Sequence, residues 1–329
     1  MATKYRVYRL CYRTLLTLLL IAILSPLASL AFELGGPLSD LEKPEPAATI
    51  SAIAIPSKSS VFSDDSASDP PQDAPPLQLR LSRDVSDQEF AAKEHPLEDL
   101  AVYDVMTVEE RQENNLQTEL PAPEPYYREK TVYLSFDDGP DPDNTPAVLT
   151  ILHQEGVRAT FFVVGNEMEK YPDVVRQTFT QGHALGNHTY SHIYREVYKS
   201  VASYTAELHH TDDVFKRVLG VRPRISRAPG GSSGSFTKEY WSALQKEGYV
   251  EVGWNINSGD ASSQKADQLV RNIANQVEQN RILWSHAIVL MHDGRGHEET
   301  VKALPKIIHL FKEKGFEFRV ITPATPPAW

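Results

Sequence analysis

The fold reading turns on Val132-Tyr133-Leu134-Ser135-Phe136-Asp137-Asp138-Gly139-Pro140, an apolar and aromatic run that stops abruptly at two carboxylates and a Gly-Pro turn. Val132–Phe136 is the first of seven such runs. The others are Ala159–Gly165, His183–Asn187, Arg224–Ala228, Val250–Ile256, Ile288–His292 and Phe316–Ile321. Amphipathic stretches separate them. Tyr198–Leu219 places Val201, Tyr204, Leu208, Val214, Phe215 and Val218 at helical spacing, and Asp267–Gln279 and Glu298–Lys314 behave alike. Strands alternating with helices imply βαβ units and a parallel sheet. Seven units in about 200 residues fit an incomplete (β/α) barrel better than an open sheet, although the pattern alone does not decide between them. In such folds the chemistry sits where the strands end.

Four strand ends carry candidate chemistry. Asp137 and Asp138 are adjacent carboxylates, each disfavouring the other's charge unless a cation or a task needs both; alone, Asp-Asp-Gly-Pro is ordinary turn chemistry. Asn187-His188-Thr189-Tyr190-Ser191-His192 spaces two imidazoles at i and i+4, as in other His-pair zinc sites. Two His plus one carboxylate can hold a catalytic zinc ion with one position open. Asp138 is the natural third ligand, leaving Asp137 as a neighbouring base. Arg227-Ala228-Pro229-Gly230-Gly231 combines a cation that cannot deprotonate with a small, kinked backbone, or is a plain turn with a surface Arg. His292 closes Leu290-Met291-His292-Asp293 and reads equally as a core histidine.

Together these motifs resemble the polysaccharide deacetylase family, the NodB-homology domain of carbohydrate esterase family four. The resemblance covers residues 130–322 and none of the N-terminal third. It implies a distorted (β/α)7 barrel and a metal-dependent N-deacetylase, with a divalent ion, Zn2+ foremost, as cofactor. By position, Asp138, His188 and His192 resemble the metal ligands, Asp137 the general base and His292 the general acid. Arg227 resembles the residue that orients the base, and Asp260 the carboxylate that tunes the catalytic His. A backbone N–H near Gly230 would face the oxyanion. Three positions depart from the family pattern. Asn257 stands where a second Asp is usual, Ala261 where an aromatic follows, and Gly230 where an aromatic is common. None of them removes a ligand or an acid–base residue, so activity is expected, with one wall of the sugar groove more open.

Outward from this domain, composition changes sharply. The chain has 329 residues and a formal charge of −11. Residues 1–32 carry Lys4, Arg6, Arg9 and Arg13 and no acid, followed by an apolar run over 15–32. That is the layout of a secretory signal, with Ser29-Leu30-Ala31 as the cleavage site, or of an uncleaved membrane anchor. Residues 33–127 hold 20 acidic and 6 basic residues, with Pro44-Glu45-Pro46, Pro75-Pro76 and Pro121-Ala122-Pro123-Glu124-Pro125 among them. Such a segment buries too little apolar surface to fold and reads as a mostly disordered acidic linker, with a short helix within Asp87–Asn114 as an option. Residues 128–329, nearly neutral, form the catalytic domain. The acidic balance excludes nucleic-acid binding. The single Cys11 precludes disulfides, Cys-ligated metal and a Cys nucleophile downstream.

The expected protein is therefore an exported hydrolase, extracellular or wall-associated. Its expected partner is a polysaccharide, peptidoglycan or a chitooligosaccharide-like chain, and no protein partner is inferred. Two rivals stand beside it: an O-acetyl esterase acting on xylan or a secondary wall polymer, and a non-catalytic wall-binding module. The remaining histidines, His297 among them, read as surface or packing residues. Trp241, Trp254 and Trp284 read as core, and Thr322–Trp329 as a frayed tail.

Overall fold

A computed structural model describes residues 80–82, 101–120, 125 and 127–328. The signal or anchor expected over residues 1–32 and most of the linker expected over 33–127 lie outside the described residues. The strands are β1 (Arg80–Ser82), β2 (Val102–Asp104), β3 (Thr131–Asp137), β4 (Thr160–Val163), β5 (Ala184–Asn187), β6 (Arg222–Pro223), β7 (Ile225–Ser226), β8 (Val250–Glu251), β9 (Ile256–Asn257), β10 (Ala287–His292) and β11 (Glu317–Phe318). The α-helices are α1 (Val108–Glu113), α2 (Asn144–Glu155), α3 (Gly165–Lys170), α4 (Pro172–Thr180), α5 (Tyr194–Val197), α6 (Val201–Leu219), α7 (Lys238–Lys246), α8 (Ala266–Gln279) and α9 (Glu298–Glu313).

The main sheet runs β8-β7-β5-β4-β3-β10-β9, with β11 added to the start of β3. Every pairing in it is parallel. All strand C-termini therefore reach one rim, and residues just past them converge there. The alternation of side chains along a strand gives the sheet two apolar faces. Tyr133, Phe162, Ile225, Val252, Ile288 and Ile321 fill the inside of the curl. Val132, Leu134, Phe136, Phe161, Val289 and Met291 face outward onto helices, meeting Leu149 and Leu152 of α2, Phe215 of α6, Ile273 of α8 and Ile307 of α9. Each such large side chain, fully buried, contributes about 1.5–3 kcal/mol. The result is a curled parallel half-barrel, the incomplete barrel that the strand and helix pattern favoured and the distorted barrel that the family resemblance implied.

The run Val250–Ile256 does not form one strand. It splits into β8 and β9, which lie at opposite ends of the sheet order. The reason is the buried Arg227, which takes the Val252 carbonyl with Nε at 2.9 Å and the Gly253 carbonyl with Nη2 at 3.0 Å. Those two acceptors turn toward a guanidinium, and residues 252–255 cross from β8 to β9, with Val252 N–H donating to Ser226 and Asn255 N–H to Ile288.

The linker boundary expected at Tyr127 is corrected. Residues 101–120 pack on the domain: β2 pairs with β6 and with β1 of residues 80–82 in a small second sheet, and α1 carries a capping box between Thr107 and Glu110. Tyr103 is fully buried. Asp104, also fully buried, pairs with Arg111 at 2.5 Å, with Arg222 and with Arg224. Acidic, Pro-rich flanks hid a short folded strap whose partners outside it lie far downstream, among them Leu185, Arg222 and Arg224. Two smaller readings also change. Trp241 is exposed, and the C-terminal segment packs down through Thr322, Thr325 and Ala328 rather than fraying. Among the described residues, no helix is long and apolar enough to cross a membrane.

Candidate metal centre and active site

The rim gathers all the expected residues. Asp137 ends β3, and Asp138 follows it in a left-handed conformation, φ 74°. His188 follows β5, and His192 ends a tight loop in which both Thr189 (φ 65°) and His192 (φ 55°) are left-handed. Non-glycine residues pay roughly 1–3 kcal/mol each for such backbone. The loop is held by its neighbours. Asn187 Oδ1 accepts from Thr189 N–H, and Glu207 of α6 accepts from the N–H groups of Tyr190 and Ser191.

Asp138 Oδ1 lies 3.4 Å from His188 Nε2 and 3.2 Å from His192 Nε2. It is buried, with no hydrogen-bond partner among the described residues. The ligand atoms of the three residues lie within 4.8 Å of one another. His188 Nδ1 is 2.7 Å from the Arg227 carbonyl, which can only accept, so Nδ1 carries a proton and Nε2 of the neutral ring keeps its lone pair for a cation shared with Asp138. An orphaned carboxylate oxygen and two imidazoles aimed at one point fit a divalent cation with hard and borderline N/O donors. Burial raises the Asp138 pKa, but the neighbouring His188, His192 and His292 outweigh it and hold the carboxyl well below the usual range. Burial opposes charge on His188, yet Asp137 and Asp138 raise its pKa; His192, buried beside His188, is lowered.

Asp137, almost fully buried, accepts from Arg227 Nη1 at 2.8 Å through Oδ1, and its Oδ2 lies 3.8 Å from His188 Nε2. Arg227 is itself fully enclosed. Nη1 also donates to Ser135 Oγ, and the guanidinium lies 4.1 Å from the centre of the Phe162 ring. Arg227 thus holds one carboxylate oxygen of Asp137 and leaves the other toward the histidine pair.

His292, on β10, is the register partner of Asp137 on β3. Its Nδ1 lies 2.8 Å from Asp260 Oδ1, while Asp260 Oδ2 accepts from His292 N–H and Thr300 Oγ1, both at 2.7 Å. Burial opposes charge on His292, but the hydrogen bond to Asp260 and the negative charges of Asp260, Asp137 and Asp138 bring its pKa up to about 9. Asp260 is correspondingly lowered against the effect of its burial. Gly230 sits at the same rim in a left-handed turn, φ 72°.

Two nearby residues were not singled out in the sequence. His297 stacks on His292 with ring centres 4.9 Å apart, and its buried Nδ1 has no hydrogen-bond partner among the described residues. Asp260, His292 and His297 form a second close group, but Asp260 already accepts three hydrogen bonds, an arrangement for orienting a histidine. Asp293 is buried beneath Gly139, where a Cβ would come within 2.5 Å of its carboxylate; burial raises its pKa to about 7. Asp293 follows His292 directly, and that adjacency was the only signal available.

One rim of the curled parallel sheet thus carries a two-histidine, one-carboxylate cluster whose donors fit a divalent cation, beside a buried carboxylate and a carboxylate-bound histidine. Residues 125–252 match the sequence profile of the polysaccharide deacetylase family. A putative polysaccharide deacetylase of Bacillus subtilis (strain 168), YheN, is 34% identical over 201 residues, covering 60% of this chain and 70% of its own length. A peptidoglycan-N-acetylglucosamine deacetylase of Bacillus cereus is 31% identical over 58% of this chain and 67% of its own. Among solved structures, a CE4 esterase of Streptococcus mutans superposes with a TM-score of 0.55 at 31% identity, over 59% of this chain and 86% of that one. The chain belongs to the polysaccharide deacetylase family and is a hydrolase of that class.

Proposed function

We propose that this protein removes N-acetyl groups from N-acetylglucosamine residues of an exported polysaccharide, peptidoglycan foremost, using a divalent ion held by Asp138, His188 and His192. The observation that carries the reading is the meeting at one rim of that ligand cluster with Asp137 on one side and the Asp260–His292 pair on the other. The likeness to a peptidoglycan-N-acetylglucosamine deacetylase supports the substrate class. Zn2+ is the ion best matched to the donor set, and when bound it would acidify a water and polarise the acetamide carbonyl.

The chain's own groups account for the proton movements. Asp137, fixed by Arg227, takes the proton of the attacking water through its free oxygen. A backbone N–H near Gly230 would stabilise the developing oxyanion. His292, kept charged and aligned by Asp260, hands its proton to the departing amine nitrogen, which cannot leave as an anion. The products are acetate and a glucosamine residue. The basic start and apolar run of residues 1–32 support export, with cleavage or membrane retention both consistent with an extracellular or wall location.

The test is acetate release from purified peptidoglycan fragments and from O-acetylated xylan, each with and without a chelator. Chelator-sensitive release from the N-acetylated polymer is expected. Release from the O-acetylated polymer alone makes the protein an esterase, and release unaffected by metal removal defeats the mechanism.

A further inference from the structure

Tyr194 opens α5 two residues after His192, and its ring is 52% exposed, with Ile193 beside it equally open. Tyr194 is nonetheless held in place. Its ring stands edge-on to His192, centres 5.6 Å apart, and leans on Tyr198 at 6.0 Å. Tyr198 in turn donates its hydroxyl to the Pro229 carbonyl at 2.6 Å. Gly230 makes room for it: a Cβ there would come within 2.6 Å of the Tyr194 hydroxyl oxygen. With Tyr194 in this position a side chain at residue 230 would displace its ring, and the left-handed turn at Gly230 also favours glycine. The loop after β7 and the loop after β5 are therefore shaped to each other around a ring whose open side faces water.

We propose that Tyr194 is a specificity-determining residue, its ring forming the stacking wall for the pyranose that bears the acetamide beside the Asp138–His188–His192 cluster. The inference rests on the proposed deacetylase reading and names the side chain that holds its sugar. A pyranose has an apolar face of C–H groups, and a partly exposed, preoriented aromatic ring is suited to it at small entropic cost. The contact is made equally in ground and transition states, so it acts on binding more than on turnover.

The probe is tetra-N-acetylchitotetraose with the Zn2+-loaded full chain, comparing wild type, Tyr194→Ala and Tyr194→Phe by calorimetric affinity, steady-state kinetics and bound-metal content. Tyr194→Ala is expected to raise Kd and KM about tenfold while kcat changes by less than about threefold. Tyr194→Phe, which keeps the ring, is expected to retain affinity, and all three proteins to hold the same amount of zinc. Unchanged affinity in Tyr194→Ala, or equal losses in the Ala and Phe variants, overturns the stacking role. Loss of zinc from Tyr194→Ala would make the residue a support for His192 instead and also overturns it. A wild type that neither binds nor deacetylates the oligomer defeats the proposed function and this inference with it, whereas an active wild type matched by Tyr194→Ala defeats this inference alone.

Discussion

Arg227 Nη1 donates to Asp137 Oδ1 at 2.8 Å from a guanidinium with no solvent contact, whose other hydrogen bonds go to Ser135, Val252 and Gly253. One residue thus shapes the crossing from β8 to β9 and aims the proposed base. Asp137→Asn keeps the hydrogen-bond acceptor for Arg227 but cannot take a proton. It is expected to fold and retain zinc while losing ~10²–10⁴-fold in turnover. Near-wild-type kcat in a zinc-replete Asp137→Asn preparation would remove Asp137 from the mechanism.

The Asp260–His292 pair makes a pH prediction with a definite sign. The His292 pKa is raised, to about 9, so the protonated acid persists through neutral pH and is lost as pH rises through that value. The kcat profile should fall on an alkaline limb there. Asp260→Asn removes the anion that outweighs burial, so the limb should move to lower pH by about one unit or more. An alkaline limb at the same pH in both proteins would show that His292 is not the group being titrated.

Metal removal addresses the ligand cluster directly. Two of its three members, Asp138 and His192, sit on left-handed backbone, and Asp138 Oδ1 has no hydrogen-bond partner among the described residues. A cation that ties these groups together binds the native state alone. Zn2+ at about 100 times its Kd should add ~2.7 kcal/mol of stability, seen as a higher unfolding midpoint. His188→Ala should lose this rise together with activity. A midpoint indifferent to Zn2+ in the wild type would separate the cluster from metal binding.

These predictions use residues that were readable in the sequence because each stands at the end of a strand run or in the loop that follows it. Asp137, Asp138, His188, Arg227 and His292 are within one or two residues of a strand end and His192 is five residues past one, so local pattern and parallel topology bring them together. Other features had no local pattern. Tyr194 matters because Gly230, 36 positions away, lacks a Cβ. His297 became visible only when its ring was found stacked on His292. The break of Val250–Ile256 follows from an arginine on another strand. Asp104 lay inside a composition that reads as unfolded, and its three arginine partners are dispersed along the chain.

That last group gives a stability prediction. Arg222 has no exposed surface and Arg224 almost none, and both reach Asp104 on β2. Arg222 is also 3.3 Å from Asp212, which joins Asn187 at 3.1 Å immediately before His188. The strap thereby neutralises buried positive charge behind the candidate metal loop. Asp104→Ala leaves two buried guanidinium groups short of an anion and should cost about 3–5 kcal/mol in urea unfolding. A chain beginning at Arg128 should be destabilised further, since it also loses the buried Tyr103 and Val108. Burial raises the Asp104 pKa, but Arg111, Arg224 and Arg222 bring it below 3.8 overall. Its contribution to stability is therefore present above that pH and is lost as pH falls through the lowered value. The stability difference between wild type and Asp104→Ala should be full at neutral pH and shrink below pH 3.8. A chain from Arg128 as stable as one that retains residues 101–127 would show that the strap is not part of the folded domain.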